Sequence, residues 1–562
     1  MCKEFPLLIE GERRRMAAAR TSFILSLAVI LTSSMAARLR PHHHHEANHD
    51  IHGVYLESPE QVSMRADYQP IRISVHYDNL PADIVQTVKT IMTVATDYFK
   101  ELLKVRPIQG PLLLDRSCSS TSRYINGIRY CDNSCYQKSS CSGFTIPADH
   151  LQPCRVCNGG QCTISSSDPK SPGVPNADYI LYVVAVDAYN CNGQAGASAS
   201  SCQRESSLDR PIAGLINFCP GEVRKNKIEY MIDVAKHEII HALGFSKWSL
   251  PFYRDQNGRP RTKRDPVTKE PPNVNGQYDL SGVVMSYTHE NWAVATGNIK
   301  HEVKMLITET VLARARIHFN CPTLPGLELE NGGGSGSELS HWEARLLGNE
   351  LMTGSSANSA RLSAITLALL QDTGWYQVDF SKAEPLQWGK NAGCQFLLGS
   401  CGGYIKNKLA SGGSTEPFCT TITDYSQPLK LGCTPDRDAV GFCNMVKQSS
   451  KIPPDYQYFG PQLGGTELKY DYCPFQEVFT YKDGRGTYCN DAKNTPKGTN
   501  FLGEFYGPGS SCLYEGIKGW SVTTVPTGKR IERIPNNFGA GCYQVSTTRV
   551  ANRLTSTSSL MV

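Results

Sequence analysis

His237-Glu238-Ile239-Ile240-His241-Ala242-Leu243-Gly244-Phe245 is the stretch that decides how this chain reads. An α-helix turns once every 3.6 residues, so His237 and His241 project from one face about a turn apart, with Glu238 beside them. The preceding run, Lys227 to Lys236, consists of good helix formers. Ile228, Met231, Ile232, Val234, Ala235, Ile239, Ile240 and Leu243 make the helix apolar nearly all round, which marks it as buried. Gly244 stands where a left-handed C-cap belongs. Two imidazoles and a carboxylate on a buried helix need partners. The plain reading is a pair of hydrogen-bonded core histidines. The sharper one is a zinc site, in which both histidines reach one ion and Glu238 lies at the height of a metal-bound water.

A hydrolytic zinc needs a third protein ligand and an open fourth position. The compact metzincin spacing would place that ligand six residues after His241, where this chain has Lys247. The candidates further along are His289, His301, His318 and His341. His289 lies in a polar, turn-like stretch, Ser286-Tyr-Thr-His-Glu290, and reads as a surface residue. His301 opens a helical pattern, and His318 is close to Cys321; both read as structural.

Further motifs follow: Ser340-His-Trp-Glu343, Glu350-Leu-Met-Thr-Gly354, Gln371-Asp-Thr-Gly-Trp-Tyr376 and Asp379-Phe-Ser-Lys-Ala-Glu384. Together with the histidine pair they resemble the leishmanolysin family, and within it the animal leishmanolysin-like peptidases, from about residue 70 to about 545. In that family the third ligand arrives after an insertion, and a methionine turn lies beneath the metal. The resemblance therefore implies His237, His241 and His341 as ligands of one catalytic Zn2+, Glu238 as the catalytic residue, Met352 as the turn methionine and Gly244 as a structural residue near the site. It also implies a metalloendopeptidase acting on protein or peptide substrates through a Glu-assisted zinc-bound water, with a role in cell adhesion or migration. The alternative from another class is a catalytically inactive adhesion or scaffold protein that retains the fold. An intact Glu238 speaks against it.

Composition fits a secreted or luminal enzyme. The chain has 562 residues, room for several domains, and 21 cysteines, too many for a reducing cytosol. Cys2 stands apart; the other 20 run from Cys118 to Cys542, an even number suited to disulfides. The Cys118–Cys162 cluster contains a Cys-x-x-Cys that also reads as a zinc ribbon. The N-terminus favours the disulfide reading. Arg13-Arg-Arg15 and Arg20 precede an apolar core, Phe23–Leu31, and Ser34-Met-Ala36 offers a cleavage site, so residues 1–36 read as a signal peptide. That core is too short to span a bilayer, which takes about 20 residues. Residues 37–67 hold His42–His45, His49 and His52 and read as a histidine-rich pro-segment. Relatives use a pro-segment for latency, some through a cysteine on the zinc, but no cysteine lies between Cys2 and Cys118.

Periodicity gives the coarse architecture. Ile71–Tyr77, Tyr179–Val186 and Ile212–Phe218 read as strands; Pro81 to about Leu103 and Ser359 to Gln371 read as helices. The expected fold is α+β and metzincin-like. An α/β upper subdomain (68–245) carries the zinc helix, a helical lower subdomain (246–390) carries the insertion, third ligand and methionine turn, and a disulfide-rich module (391–562) follows. The net charge of +5 is spread without a dense basic run, so nothing points to nucleic acid. No terminal apolar stretch reads as a glycolipid-anchor signal, and no transmembrane helix is read, although membrane association stays open. Against the family pattern, the chain's end reads as truncated or alternatively spliced.

Overall fold

The computed structural model describes residues 52–54 and 67–558, apart from 126–127, 167, 169, 189–190, 192–195, 226, 333–336, 356–358, 480, 482–484, 498–499, 501–502, 515–519, 525–531, 537–538 and 551–552. The expected signal peptide and most of the expected pro-segment lie outside the described residues. His52–Val54 of that segment form a strand, β1.

A five-stranded sheet underlies the first half. In spatial order it runs β1, β4 (Ala197–Glu205), β5 (Pro211–Phe218), β3 (Tyr179–Val184) and β2 (Ile73–Tyr77). Strands β2, β3 and β5 are mutually parallel, β4 runs antiparallel to β5, and β1 pairs parallel to β4. Every residue of β3 and β5 is buried, as expected of central strands covered on both faces.

Helix α1 (Val85–Leu102) buries Val88, Ile91, Met92, Ala95, Phe99 and Leu102, a stripe at three- and four-residue spacing. It packs along α2 (Ile228–Leu243), which in turn lies on β4 and β5. This sandwiching explains why α2 is apolar on most of its circumference. Helix α1 starts four residues after the expected Pro81, because the amides of Ile84 and Val85 both turn back to the Pro81 carbonyl.

After Gly244 the structure departs from the helical layer read in the sequence. It includes two long strands, β6 (Val284–Val294) and β7 (Gly297–Leu306), paired as an antiparallel hairpin with β8 (Leu327–Glu328) alongside. His289 is therefore not on a surface turn: it sits in β6, 2 % exposed. His301 does not open a helix: it sits in β7, also buried. His318 belongs to α3 (Glu309–Phe319) and bonds the Trp388 carbonyl through Nε2 at 2.9 Å, a structural role as expected. Helix α3 packs on α5 (Ala364–Asp372), which begins at Ala364 and not at Ser359 because the Ser363 side chain caps it, accepting from the Ile365 amide. A short α4 (Ala344–Leu347) follows His341.

One apolar core runs from Ile71 to Phe475, and a smaller one gathers around Cys433, Cys489, Cys512 and Cys542. Ten disulfides pair all 20 cysteines from Cys118 to Cys542. The zinc-ribbon reading of the first cluster falls away. Cys131, Cys135 and Cys154 do lie close together, but Cys131 is bonded to Cys118, and Cys135 to Cys154. The fold is thus mixed α and β, with many small sheets and few helices. Its disulfides fit a secreted or extracellular setting. Among the described residues no helix is long and apolar enough to cross a membrane.

Candidate metal centre

Helix α2 ends in a Schellman turn. The Gly244 amide bonds the carbonyls of Ile240 and His241, and the Phe245 amide returns to Ile240 at 3.0 Å. Gly244 has φ +141°, as a glycine at this position can. The turn leaves the Phe245 carbonyl facing back along the helix, where it meets His241 Nδ1 at 2.6 Å. One turn earlier, His237 Nδ1 meets the Leu351 carbonyl at 2.6 Å, although Leu351 is 114 positions away in sequence.

The third histidine comes from a loop pinned in several places. His341 gives its carbonyl to the Glu330 amide at 2.9 Å, and the next amide, Trp342, bonds the Met352 carbonyl at 2.9 Å. Trp342 is fully buried, sends Nε1 to Thr366 Oγ1 at 2.8 Å and packs on Phe245 with ring centroids 4.8 Å apart. Burying an indole removes roughly 200 Å² from water, worth about 5 kcal/mol as an upper estimate. The residue after His341 is thus anchored to the residue after Gly244.

The three rings converge. His241 Nε2 lies 2.9 Å from His237 Nε2 and 3.2 Å from His341 Nε2. All three histidines are buried, and Glu238 is fully buried on the same turn of α2 as His237. On each ring Nδ1 faces an acceptor: the carbonyls of Leu351 and Phe245 for the helix pair, and Glu330 Oε2 at 3.0 Å for His341. Such acceptors fix the hydrogen on Nδ1 and present Nε2 as a lone pair. Ligands about 2.0–2.1 Å from one ion at a tetrahedral angle lie roughly 3.4 Å apart, close to the observed separations. The donor set therefore fits a metal ion.

The structure brings together four of the residues singled out in the sequence, His237, Glu238, His241 and His341. It leaves His289, His301 and His318 elsewhere. Met352 is fully buried in the turn whose Leu351 carbonyl holds His237, and its amide bonds Glu350 Oε2 at 2.6 Å. The Glu350 carboxyl also accepts from the Ser363 amide and the hydroxyls of Ser363 and Thr366, and burial pushes it up to about 7. Sequence reasoning missed Glu330, whose bond to His341 has no periodic signature; its place between Leu329 and the glycine run Gly332-Gly-Gly334 was the only hint.

A helix-borne His-Glu-x-x-His pair closed by a distant histidine is an arrangement that could hold a metal ion. Comparison with known proteins shows the family. The leishmanolysin profile matches residues 152–555. A leishmanolysin-like peptidase of Drosophila pseudoobscura pseudoobscura is 35 % identical over 568 residues, covering 92 % of this chain and 82 % of the relative. One of Caenorhabditis elegans is 38 % identical, covering 85 % and 76 %. The leishmanolysin of Leishmania major is 32 % identical, covering 62 % and 46 %. The chain belongs to the leishmanolysin family of metallopeptidases.

Proposed function

We propose that the protein is a zinc endopeptidase in which His237, His241 and His341 hold the metal and Glu238 is the general base. The observation that carries this reading is the meeting of three Nε2 atoms, within 3.2 Å of the central His241, beside a carboxylate on the same helix. An all-imidazole set of three suits zinc. A zinc ion held by these three imidazoles would supply Lewis acidity, polarising a peptide carbonyl and making water more acidic. Glu238 takes the proton of the attacking water and passes it to the leaving amine, and burial of the site strengthens both transfers by excluding bulk solvent. Leu351, Phe245 and Glu330 hold the three rings in the tautomer the metal requires. Met352, buried in the turn that supplies the Leu351 carbonyl, gives the site a fixed floor.

In the same reading the chain divides into a signal peptide (1–36), a pro-segment (37–67), a catalytic half with the zinc helix (68–245), a central part with His341 and Met352 (246–390) and a cysteine-rich module (391–562), arranged as a metzincin. Ten disulfides support passage through an oxidising secretory route. A part in cell adhesion rests on family resemblance alone. The deciding experiment is Glu238→Gln in the mature protein. Zinc content should stay near one per chain while peptide hydrolysis falls by roughly 10² to 10⁴. Activity within about threefold of wild type would sink the mechanism.

A further inference from the structure

The three histidines are not held alike. His237 and His241 lean on backbone carbonyls alone, whereas His341 Nδ1 lies 3.0 Å from the Glu330 carboxylate as well as 3.2 Å from the Ser337 carbonyl and hydroxyl, and Glu330 must itself be held. Glu330 is almost wholly buried, and a carboxylate taken out of water needs a counter-charge and filled acceptor positions. Both come from identifiable groups. Ser337 Oγ donates to Glu330 Oε2 at 2.9 Å. Lys469 Nζ lies 3.3 Å from Glu330 Oε1 and donates to Ser337 Oγ at 3.1 Å. Lys469 is 6 % exposed and belongs to the cysteine-rich part of the chain.

Lys469 does not arrive alone. Tyr470 sends its hydroxyl to the Gly348 carbonyl at 3.2 Å and lies 3.1 Å from Ser355 Oγ, and Asp471 pairs with the buried Arg345 at 3.1 Å. Three consecutive residues from one turn thus enter the loop that carries His341, and the Cys401–Cys473 disulfide closes just beyond them. The last residue of Glu350-Leu-Met-Thr-Gly354 is explained by the same cluster. A Cβ on Gly354 would collide with the Glu330 carboxylate and stand 2.6 Å from Lys469 Nζ. Glycine there keeps the seat of the ion pair open.

We infer that Glu330 and Lys469 are positioning residues for the third metal ligand: the carboxylate orients His341 through Nδ1, and the lysine, supplied by the cysteine-rich module, holds the carboxylate. The module is then part of the metal centre and not an appendage to it. A carboxylate behind an imidazole raises its donor strength and fixes its orientation, and removing such a support typically costs about 10–100-fold in metal affinity. This inference rests on His341 being a zinc ligand.

The test measures zinc affinity of the full-length mature protein by competition with a chromophoric chelator, together with melting of the metal-free form. Glu330→Gln and Lys469→Met should each lose at least tenfold in affinity, the double variant should lose little more than the worse single one because the pair acts as a unit, and Lys469→Arg should stay within about threefold of wild type. His341→Ala separates the two readings. If it leaves affinity unchanged, the ligand assignment fails. If it abolishes binding while Glu330→Gln and Lys469→Met both bind zinc within threefold of wild type, the inference fails and the assignment stands. A fall in melting temperature of the metal-free protein without loss of affinity would also overturn it, since that marks a purely structural ion pair. Should Lys469→Met not fold, the near-isosteric Glu330→Gln decides by the same tenfold criterion.

Discussion

Replacing Gly244 by alanine puts a methyl group where the structure has an indole. The added Cβ would stand 2.6 Å from Trp375 Cζ3, well inside van der Waals contact. Trp375 cannot step aside cheaply, because it is buried, donates from Nε1 to the Leu208 carbonyl at 2.7 Å and meets Tyr253 edge-on at 5.4 Å. The backbone adds its own cost, since φ of +141° is a conformation that L-residues rarely adopt. Strain of this kind costs about 1–3 kcal/mol and overpacking a filled core about 1–3 kcal/mol more. The sum, about 2–6 kcal/mol, spread over the unfolding entropy of a core that spans roughly 400 residues, corresponds to a drop in melting temperature of roughly 2–7 °C. Relief by moving the turn would shift the Phe245 carbonyl that holds His241 Nδ1, so zinc affinity should fall as well. Gly412→Ala is the control, because Gly412 has φ +67° with open space around the missing Cβ and isolates strain from collision. Melting curves and zinc competition on both variants check the reasoning. If Gly244→Ala melts no lower than Gly412→Ala, the steric account of the turn is refuted.

His341→Ala should abolish zinc retention, measured as metal per chain after gel filtration, whereas alanine at His289, His301 or His318 should leave about one zinc per chain; metal loss at His318 with retention in His341→Ala would reverse the assignment. For Glu350, burial pushes the folded carboxyl up to about 7 against an ordinary value of 4.5, so the folded state holds this proton more tightly than the unfolded one. Its contribution to stability is therefore fully present below about pH 4.5 and is lost as pH rises through 7. Glu350→Gln has no such proton to lose, and its melting temperature relative to wild type should improve from pH 5 to pH 8. A difference that does not change with pH would show that Glu350 is ionised throughout.

Much of the fold was legible because the signals were local. The spacing of His237 and His241, the apolar run around them and Gly244 after them all lie within about four helical turns, and the structure places helix, C-cap and histidine pair as read. The parallel strands β3 and β5 announced themselves as continuous apolar runs. The hairpin did not, and for two different reasons. In β7, Ile299, His301, Val303 and Met305 alternate with Lys300, Glu302 and Lys304, a clean period of two that was present in the sequence and was read as a helix. In β6 the stretch Ser286–Glu290 is made of Ser, Tyr, Thr, His and Glu, so its polar composition looked like a turn, and the register slip between His289 and Trp292 interrupts the pairing just beyond it. Both histidines face inward, and Trp292 stacks on His301 at 4.4 Å, which no composition count could have shown.

The site divides along the same line. Helical periodicity could place two imidazoles side by side, but it could say nothing about the third, which reaches His241 across 100 positions of sequence. Local sequence could only read His289 as a surface residue and His301 and His318 as structural, and it was the resemblance of the surrounding motifs that singled out His341. The structure supplies the physical reason. Among the four, His341 has a neighbour, Trp342, that packs on Phe245 at the end of α2. It also has a carboxylate behind it that is held by a lysine 132 positions beyond Ser337. Pairing at such separations carries a closure cost that the chain recovers only through the contacts made once the ends meet. The Cys401–Cys473 disulfide lowers that cost by tying the segment around Lys469 to the same core. On the proposed assignment, the third ligand is fully held only when the segment carrying Lys469 has docked against the loop of His341.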